Sequence, residues 1–176
     1  MNHALFLDRD GVINKDFGYI YKKQDIIFNK GIFELVRKAK KLGYYVIVIT
    51  NQSGIARGYF TEEDFNNLMN WMNKKFEEND GKIDQVYYCP YHQDGKIKKY
   101  AKIHSDRKPN PGMIIKACKD FNIDPKKSML VGDKKTDIEA GVNASISKSI
   151  FLGNHEMNIA YKSVNNLTDV IKELSR

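Results

Sequence analysis

Leu5-Phe6-Leu7-Asp8-Arg9-Asp10-Gly11-Val12-Ile13-Asn14 is the stretch whose reading decides the fold. A short apolar run stops at two carboxylates one residue apart and then at a glycine, the pattern of a buried strand opening into a turn. Both acids are then aimed at one point. Such a pair can hold a cation, or it can divide catalysis, one ionised aspartate attacking while its neighbour delivers and removes protons. An isolated Asp-x-Asp is also the pattern of a solvated acidic turn, so its meaning depends on the rest of the chain.

Outward from that stretch the chain alternates. Residues 11 to 30 lack a period and carry Gly18, Tyr19 and Tyr21, which predicts a loop or small hairpin over the strand end. Ile32, Leu35, Val36, Ala39 and Leu42 recur at helical spacing and stop at Gly43. Tyr44 to Thr50 is a β-branched and aromatic run suited to a strand buried on both faces. Thr61 caps a helix with the apolar stripe Phe65, Leu68, Met69, Met72 and Phe76, read as core. Strands follow at Gln85 to Cys89, Ser128 to Val131, Ser149 to Leu152 and Ala160 to Val164. Helices are predicted after Asn110-Pro111, after Val131 as far as Ala144, and from Thr168 to Leu174. This order predicts an α/β fold, a Rossmann-like parallel sheet with helices on both faces and right-handed crossovers.

Composition sets bounds on function. A chain of 176 residues with 41% hydrophobic and 29% charged residues fits one globular domain over 1–176, with no linker or low-complexity segment. The apolar run Tyr44 to Ile49 is too short to span a bilayer, and the N-terminal apolar stretch lacks a basic leader, so a soluble cytoplasmic protein is expected. Two cysteines, Cys89 and Cys118, fit a reducing compartment. The net charge of +7 is placed largely on solvated clusters such as Arg37, Lys38, Lys40 and Lys41. It also suits anionic substrates, whether small phosphates or polynucleotides.

In open parallel sheets ligands sit beyond the carboxyl ends of the strands. The first strand ends in Asp8 and Asp10, the second in Thr50-Asn51-Gln52-Ser53-Gly54, and the fourth in Gly132-Asp133-Lys134-Lys135-Thr136-Asp137. Arg107-Lys108-Pro109 stands before the third helix. Hydroxyl and amide donors, fixed cations and carboxylates therefore converge on one crevice, the equipment for a phosphoryl group and a hard divalent metal.

With these four motifs in this order, nearly the whole chain resembles the haloacid dehalogenase superfamily of phosphatases. Within it, Asp8 to Asn14, Thr50 to Phe60 and Arg107-Lys108-Pro109 are most similar to the heptose 1,7-bisphosphate phosphatase branch, with the histidinol phosphatase branch close. The resemblance implies Asp8 as nucleophile, Asp10 as acid and base, and Thr50 and Lys108 as phosphoryl-binding groups, with Lys108 also keeping Asp8 ionised. Mg²⁺ would be held by Asp8, the backbone carbonyl of Asp10, and Asp133, while Asp137 orients the site. Asp16, Phe17, Gly18, Tyr19, Asn51, Gln52, Ser53, Arg107 and Lys134 are the implied substrate contacts, Arg107 being suited to a second phosphate. No insertion is long enough for a separate cap domain, so loops alone should cover the crevice. A small phosphorylated sugar is the expected partner. Polynucleotide 3′-phosphatases share this chemistry, but no aromatic and basic strip marks a nucleic-acid partner, and nothing demands more than a monomer. An inactive phosphate-binding module is the reading from another class.

One departure stands out. The resembling enzymes commonly carry a Cys-x-His and a Cys-x-Cys pair that close a structural zinc site. Here those positions read Cys89-Pro90-Tyr91 and His104-Ser105-Asp106. A shifted set of Cys89, His92, His104 and Asp106 offers four donors, yet an aspartate favours harder ions than a sulfur-rich site does. A structural zinc is therefore not expected. The loop from Pro90 to Asp106 is expected to be held by packing, with Tyr91, Ile97, Tyr100 and Ile103 as anchors.

Overall fold

The computed structural model describes residues 1–175. Six strands, β1 (Ala4–Leu7), β2 (Tyr45–Asn51), β3 (Gln85–Cys89), β4 (Met129–Gly132), β5 (Lys148–Leu152) and β6 (Lys162–Val164), pair in the order β3-β2-β1-β4-β5-β6. Every pairing is parallel. The helices are α1 (Ile32–Lys41), α2 (Ser53–Ala56), α3 (Glu62–Glu77), α4 (Gly112–Asp120), α5 (Lys135–Asn143) and α6 (Leu167–Glu173). No helix among the described residues is long and apolar enough to cross a membrane.

The period of two along β1 builds the two faces. Leu5 and Leu7 pack with the apolar stripes of α1, α3 and α6, whereas Ala4 and Phe6 pack with Met113, Ile114 and Ala117 of α4 and Ile138 and Ala140 of α5. All four β1 side chains are buried, which is why this run reads as continuously apolar. The stripe Phe65, Leu68, Met69, Met72 and Phe76 is core, as its spacing predicts. Thr61 caps α3 by accepting from the Asp64 N–H at 3.1 Å, while Asp64 accepts from the Thr61 N–H at 2.8 Å.

Two local differences from the sequence reading have simple causes. Tyr44 is not the first residue of β2: its N–H closes the end of α1 on the Ala39 carbonyl at 3.0 Å, after a left-handed turn at Gly43. The four-residue helix α2 is too short to leave a period. Between β1 and α1 the chain folds back on itself, with the Lys15 N–H donating to the Ile27 carbonyl and the Asn29 N–H to the Ile13 carbonyl, both at 2.9 Å. That hairpin-like loop reaches the strand ends, and no separate cap domain is inserted among the described residues.

The strand order reverses at β1, which has β2 on one side and β4 on the other. A crevice opens at such a reversal, beyond the carboxyl ends of the strands. β1, β2 and β4 each deliver their polar residues there.

Candidate active site

Asp8 directly follows β1, and its N–H donates to the Val131 carbonyl at 3.1 Å, so the sheet itself fixes its position. The chain then turns tightly: the Arg9 carbonyl accepts from the N–H groups of Val12, Ile13 and Asn14. Gly11 permits this turn, with φ of 92° and no room for a side chain, since a Cβ there would lie 1.9 Å from Asp133 Oδ2. The acids of the β1 and β4 ends are thereby brought face to face.

The cleft above the strands has a volume of about 390 Å³. Asp8, Asp10, Asp16, Gly18, Tyr19, Thr50, Asn51, Gln52, Ser53, Arg107, Lys108 and Lys134 line it with Thr136 and Asp137. Of the expected substrate contacts, Phe17 alone is absent from this lining. It is 63% exposed and belongs to a neighbouring hollow with Ile20, Tyr21 and Ile27, just before the left-handed turn at Gly18 and Tyr19.

Lys108 is the electrostatic centre. Its Nζ lies 3.0 Å from Asp8 Oδ1 and 2.6 Å from Asp137 Oδ1, and it donates to the Ile49 carbonyl at 2.9 Å. Burial alone would lower its proton affinity, but Asp137 and then Asp8 hold it well above the ordinary lysine range. Asn51 spends its side chain on Lys108, accepting from the Lys108 N–H at 3.0 Å and donating to the Lys108 carbonyl at 3.1 Å. A residue expected to touch substrate thus has a positioning contact as well.

Lys108 does not win at Asp8. Burial, followed by the charge of Asp137, pushes the Asp8 carboxyl above its usual range, with Lys108 opposing. Asp133 is pushed up to about 7 by burial and then by Asp8 and Asp137. Asp133 Oδ1 is buried without a hydrogen-bond partner. One ligand atom from each of Asp8, Asp133 and Asp137 lies within 4.8 Å of the others. Excess negative charge, hard oxygen donors and an orphaned buried carboxylate oxygen together fit a divalent cation such as Mg²⁺. Asp137 has other duties, since its Oδ2 accepts from the Lys134 N–H at 3.0 Å while Oδ1 faces Lys108.

Asp10 and Thr50 are joined by Gln52, whose Nε2 donates to Thr50 Oγ1 at 2.8 Å and to Asp10 Oδ2 at 3.2 Å. Lys134 Nζ bonds Asp16 Oδ2 at 3.0 Å and ties the β4 end to the β1 loop. Asp16 also accepts from the Gly18 N–H at 2.9 Å. Burial raises its proton affinity, but the Gly18 N–H and Lys134 outweigh that and leave it below the usual range. Tyr19 meets Tyr59 edge to face at 4.8 Å on the rim.

Three residues escaped sequence reasoning. Thr136 lines the cleft, and its place beside Asp133 and Asp137 was the available signal. Arg57 closes α2 and puts Nη2 3.5 Å from His92 Nε2, with its Nε buried and unpartnered. Burial and the nearby charge of Arg57 lower the proton affinity of Arg107. His92 is lowered by burial, then by Arg107 and Arg57. A knot of basic groups thus stands at the cleft's far end, beside a second hollow of about 260 Å³ lined by His92, Gln93, His104, Arg107 and Asn110. Only long-range folding assembles it. The third is Arg9, fully buried between the two aspartates.

The shifted zinc set is not assembled. Cys89 Sγ faces the Tyr91 carbonyl at 3.9 Å, and His92 turns toward Arg57 and Asp94. His104 stacks on Tyr91 at 4.3 Å, and Asp106 pairs with Lys116. This donor set does not fit a closed tetrahedral zinc. Of the expected anchors, Tyr100 bonds Glu62 and Ile97 packs near Gly58, but Ile103 is 78% exposed and anchors nothing.

Comparison with known proteins agrees with this geometry. The model of a family described as polynucleotide kinase 3 phosphatase matches residues 7–166. The D-glycero-alpha-D-manno-heptose-1,7-bisphosphate 7-phosphatase of Burkholderia mallei is 50% identical over 151 residues, covering 86% of this chain and 80% of that protein. The D-glycero-beta-D-manno-heptose-1,7-bisphosphate 7-phosphatase of Haemophilus influenzae is 43% identical over 152 residues, covering 86% and 82%. The solved D,D-heptose 1,7-bisphosphate phosphatase from B. bronchiseptica, complexed with magnesium and phosphate, superposes with a TM-score of 0.83 at 24% identity, covering 97% of each chain.

Proposed function

The chain belongs to the family described as polynucleotide kinase 3 phosphatase and is a phosphatase of haloacid dehalogenase-like fold, and we propose that it removes the 7-phosphate of D-glycero-D-manno-heptose 1,7-bisphosphate through an aspartyl-phosphate on Asp8. The observation that carries the chemistry is Lys108 Nζ held between Asp8 and Asp137 at the ends of β1 and β4, beside the orphaned carboxylate of Asp133. The relatives' names and the basic knot at Arg107 support the choice of a bisphosphate.

In the first half-reaction an Asp8 carboxylate oxygen attacks phosphorus as the bond to the sugar oxygen breaks, and Asp10 gives that oxygen its proton. In the second, Asp10 takes a proton from water, the water oxygen attacks phosphorus, and the bond from phosphorus to the Asp8 oxygen breaks, restoring the Asp8 carboxylate and releasing inorganic phosphate. Thr50 Oγ1 and Lys108 Nζ bind the transferring phosphoryl oxygens. Asp8 and Asp133, with the Asp10 backbone carbonyl, would hold Mg²⁺, which supplies charge neutralisation between an anionic nucleophile and an anionic substrate. Arg107, with Arg57 and His92 behind it, receives the remote phosphate. The two unpaired thiols fit a cytoplasmic enzyme.

A panel of both heptose bisphosphate anomers, histidinol phosphate and a 3′-phosphorylated oligonucleotide tests the reading, each assayed for phosphate release with and without Mg²⁺. The expected result is magnesium-dependent release that is fastest from a heptose bisphosphate and abolished in Asp8→Asn. Preference for the oligonucleotide would overturn the sugar assignment, and Asp8→Asn turnover near the wild-type rate would overturn the mechanism.

A further inference from the structure

We propose that Arg9 is a positioning residue that fixes the carboxyl of Asp10 for proton transfer and ties it to the loop carrying Asp16 to Tyr19. The inference rests on the reading of Asp10 as acid and base given above. Arg9 is 0% exposed and is the bulkiest of the fully buried side chains. Its guanidinium donates from Nε to Asp10 Oδ1 at 3.1 Å, and from Nη2 to Oδ1 at 2.8 Å and Oδ2 at 2.9 Å. The same Nη2 donates to the Ile20 carbonyl at 2.7 Å, and the Phe65 ring lies 5.7 Å away. Nη1 is buried without a partner.

The fold does not require this arrangement. Desolvating a guanidinium is costly, and an apolar side chain of similar volume would fill the space under Phe65 more cheaply. Asp10 itself is partly exposed, with 16% of its side chain accessible, and could be solvated without help. What the guanidinium provides is geometry. A planar fork bonded to both carboxylate oxygens resists rotation of the carboxyl about its last torsion, which a flexible ammonium cannot do.

The donors around Asp10 also divide its two oxygens. Oδ1 accepts from Arg9 Nε, Arg9 Nη2 and Asn14 Nδ2, the last at 3.0 Å. Oδ2 accepts from Arg9 Nη2 and, at a longer 3.2 Å, from Gln52 Nε2. Oδ1 has Arg9 Nε and Asn14 Nδ2 as donors of its own and shares with Oδ2 the Nη2 hydrogen not given to Ile20, so Oδ2 is the less engaged oxygen and the one open to the travelling proton. The bond to the Ile20 carbonyl carries the effect further, because Ile20 ends the loop whose Asp16, Gly18 and Tyr19 line the cleft. Seating a substrate on that loop and aligning the acid are thereby linked through one guanidinium.

Leaving-group dependence separates positioning from mere support. A sugar phosphate needs its departing oxygen protonated, whereas p-nitrophenyl phosphate does not, and kcat/KM covers the steps up to transfer of the phosphoryl group to Asp8. With the full chain and Mg²⁺, Arg9→Met and Arg9→Lys are expected to lower kcat/KM for the sugar phosphate at least about tenfold more than for the aryl phosphate, within the span of general acid catalysis. Asp10→Asn sets the limit of that ratio. Both substrates are read on one preparation, so an unfolded fraction cancels. Asn14→Ala removes one Oδ1 donor and shifts the ratio in the same direction by a smaller factor, which keeps the test alive should the Arg9 variants not fold. Equal losses on the two substrates, or full recovery of the ratio in Arg9→Lys, would overturn the proposal. An unshifted ratio in Asp10→Asn would instead overturn the acid role of Asp10 on which it rests.

Discussion

Lys108 Nζ stands 3.0 Å from Asp8 Oδ1, with 3% of the lysine and 7% of the aspartate side chain exposed. It also faces Asp137, so one ammonium offsets two buried carboxylates while Asp133 Oδ1 is buried beside them with no hydrogen-bond partner. Lys108→Met is expected to leave these acids uncompensated and to destabilise the fold by about 3–5 kcal/mol, a fall in Tm on the order of 10 °C for a chain of this size. Turnover should fall by about 10²-fold or more through loss of a phosphoryl donor. Thermal melts and initial rates check both. A variant as stable as wild type would show that the ion pair contributes nothing to the fold.

The same charge imbalance predicts stabilisation by metal. At roughly 100 times its dissociation constant, Mg²⁺ should stabilise the folded chain by about 2.7 kcal/mol, a rise of about 5–10 °C in Tm. Asp133→Asn removes a carboxylate repelled by Asp8 and Asp137, so its metal-free Tm should match or exceed that of wild type while the magnesium-induced rise shrinks. An unchanged rise in Asp133→Asn would remove that residue from the metal site.

Arg107 is half-buried beside the like charge of Arg57, a placement that an anionic ligand would relieve. Arg107→Ala should lower kcat/KM for a sugar bisphosphate by about 10- to 150-fold, the worth of a lost charge-assisted hydrogen bond of about 1.5–3 kcal/mol. A small phosphate monoester should change by less than about threefold, because it does not reach the remote site. Arg57→Ala should show the same selectivity with a smaller factor. Equal losses on both substrates would place Arg107 in the common phosphoryl site.

The sheet and the gathering of polar residues at its strand ends are readable because both have local signatures: apolar runs of strand length stop at Asp8, Asn51 and Gly132, and the polar residues follow at once. What was not readable depends on residues far apart in the chain. Arg57 acquires meaning only when α2 packs beside the loop carrying His92, and a sequence window around Arg57 shows nothing but an arginine before a glycine. Phe17 lies within the Asp16-to-Tyr19 segment that the resemblance implies as a contact, and its side chain stands 63% exposed beside a neighbouring hollow. Hydrophobicity alone marks Ile103 as an anchor, whereas its side chain is 78% exposed. Arg9 lies inside the most informative stretch, but an arginine between two aspartates reads as a surface ion pair until its burial is known.

The loop from Pro90 to Asp106 supplies the last prediction. Tyr88 donates to Glu62 Oε1 at 2.7 Å and Tyr100 to Glu62 Oε2, so one carboxylate at the start of α3 clasps both β3 and the loop, while Asp106 pairs with Lys116 of α4. Burial would raise the Glu62 carboxyl, but the hydroxyls of Tyr100 and Tyr88, aided by Lys99, leave it below the usual range. A carboxyl depressed in the folded state contributes stability above its unfolded value of about 4.3 and loses it as pH falls through the depressed value. Glu62→Gln should therefore melt a few degrees below wild type at pH 7, for a loss of about 1–2 kcal/mol after allowing for solvent screening, and the gap should close as pH falls below about 4. With such a clasp the loop is expected to hold without a metal. Protein purified without added metal should contain zinc at well under one equivalent, and a zinc chelator should leave its Tm unchanged. A full equivalent of zinc, lost on Cys89→Ser together with several degrees of Tm, would show that the metal and not the clasp holds the loop.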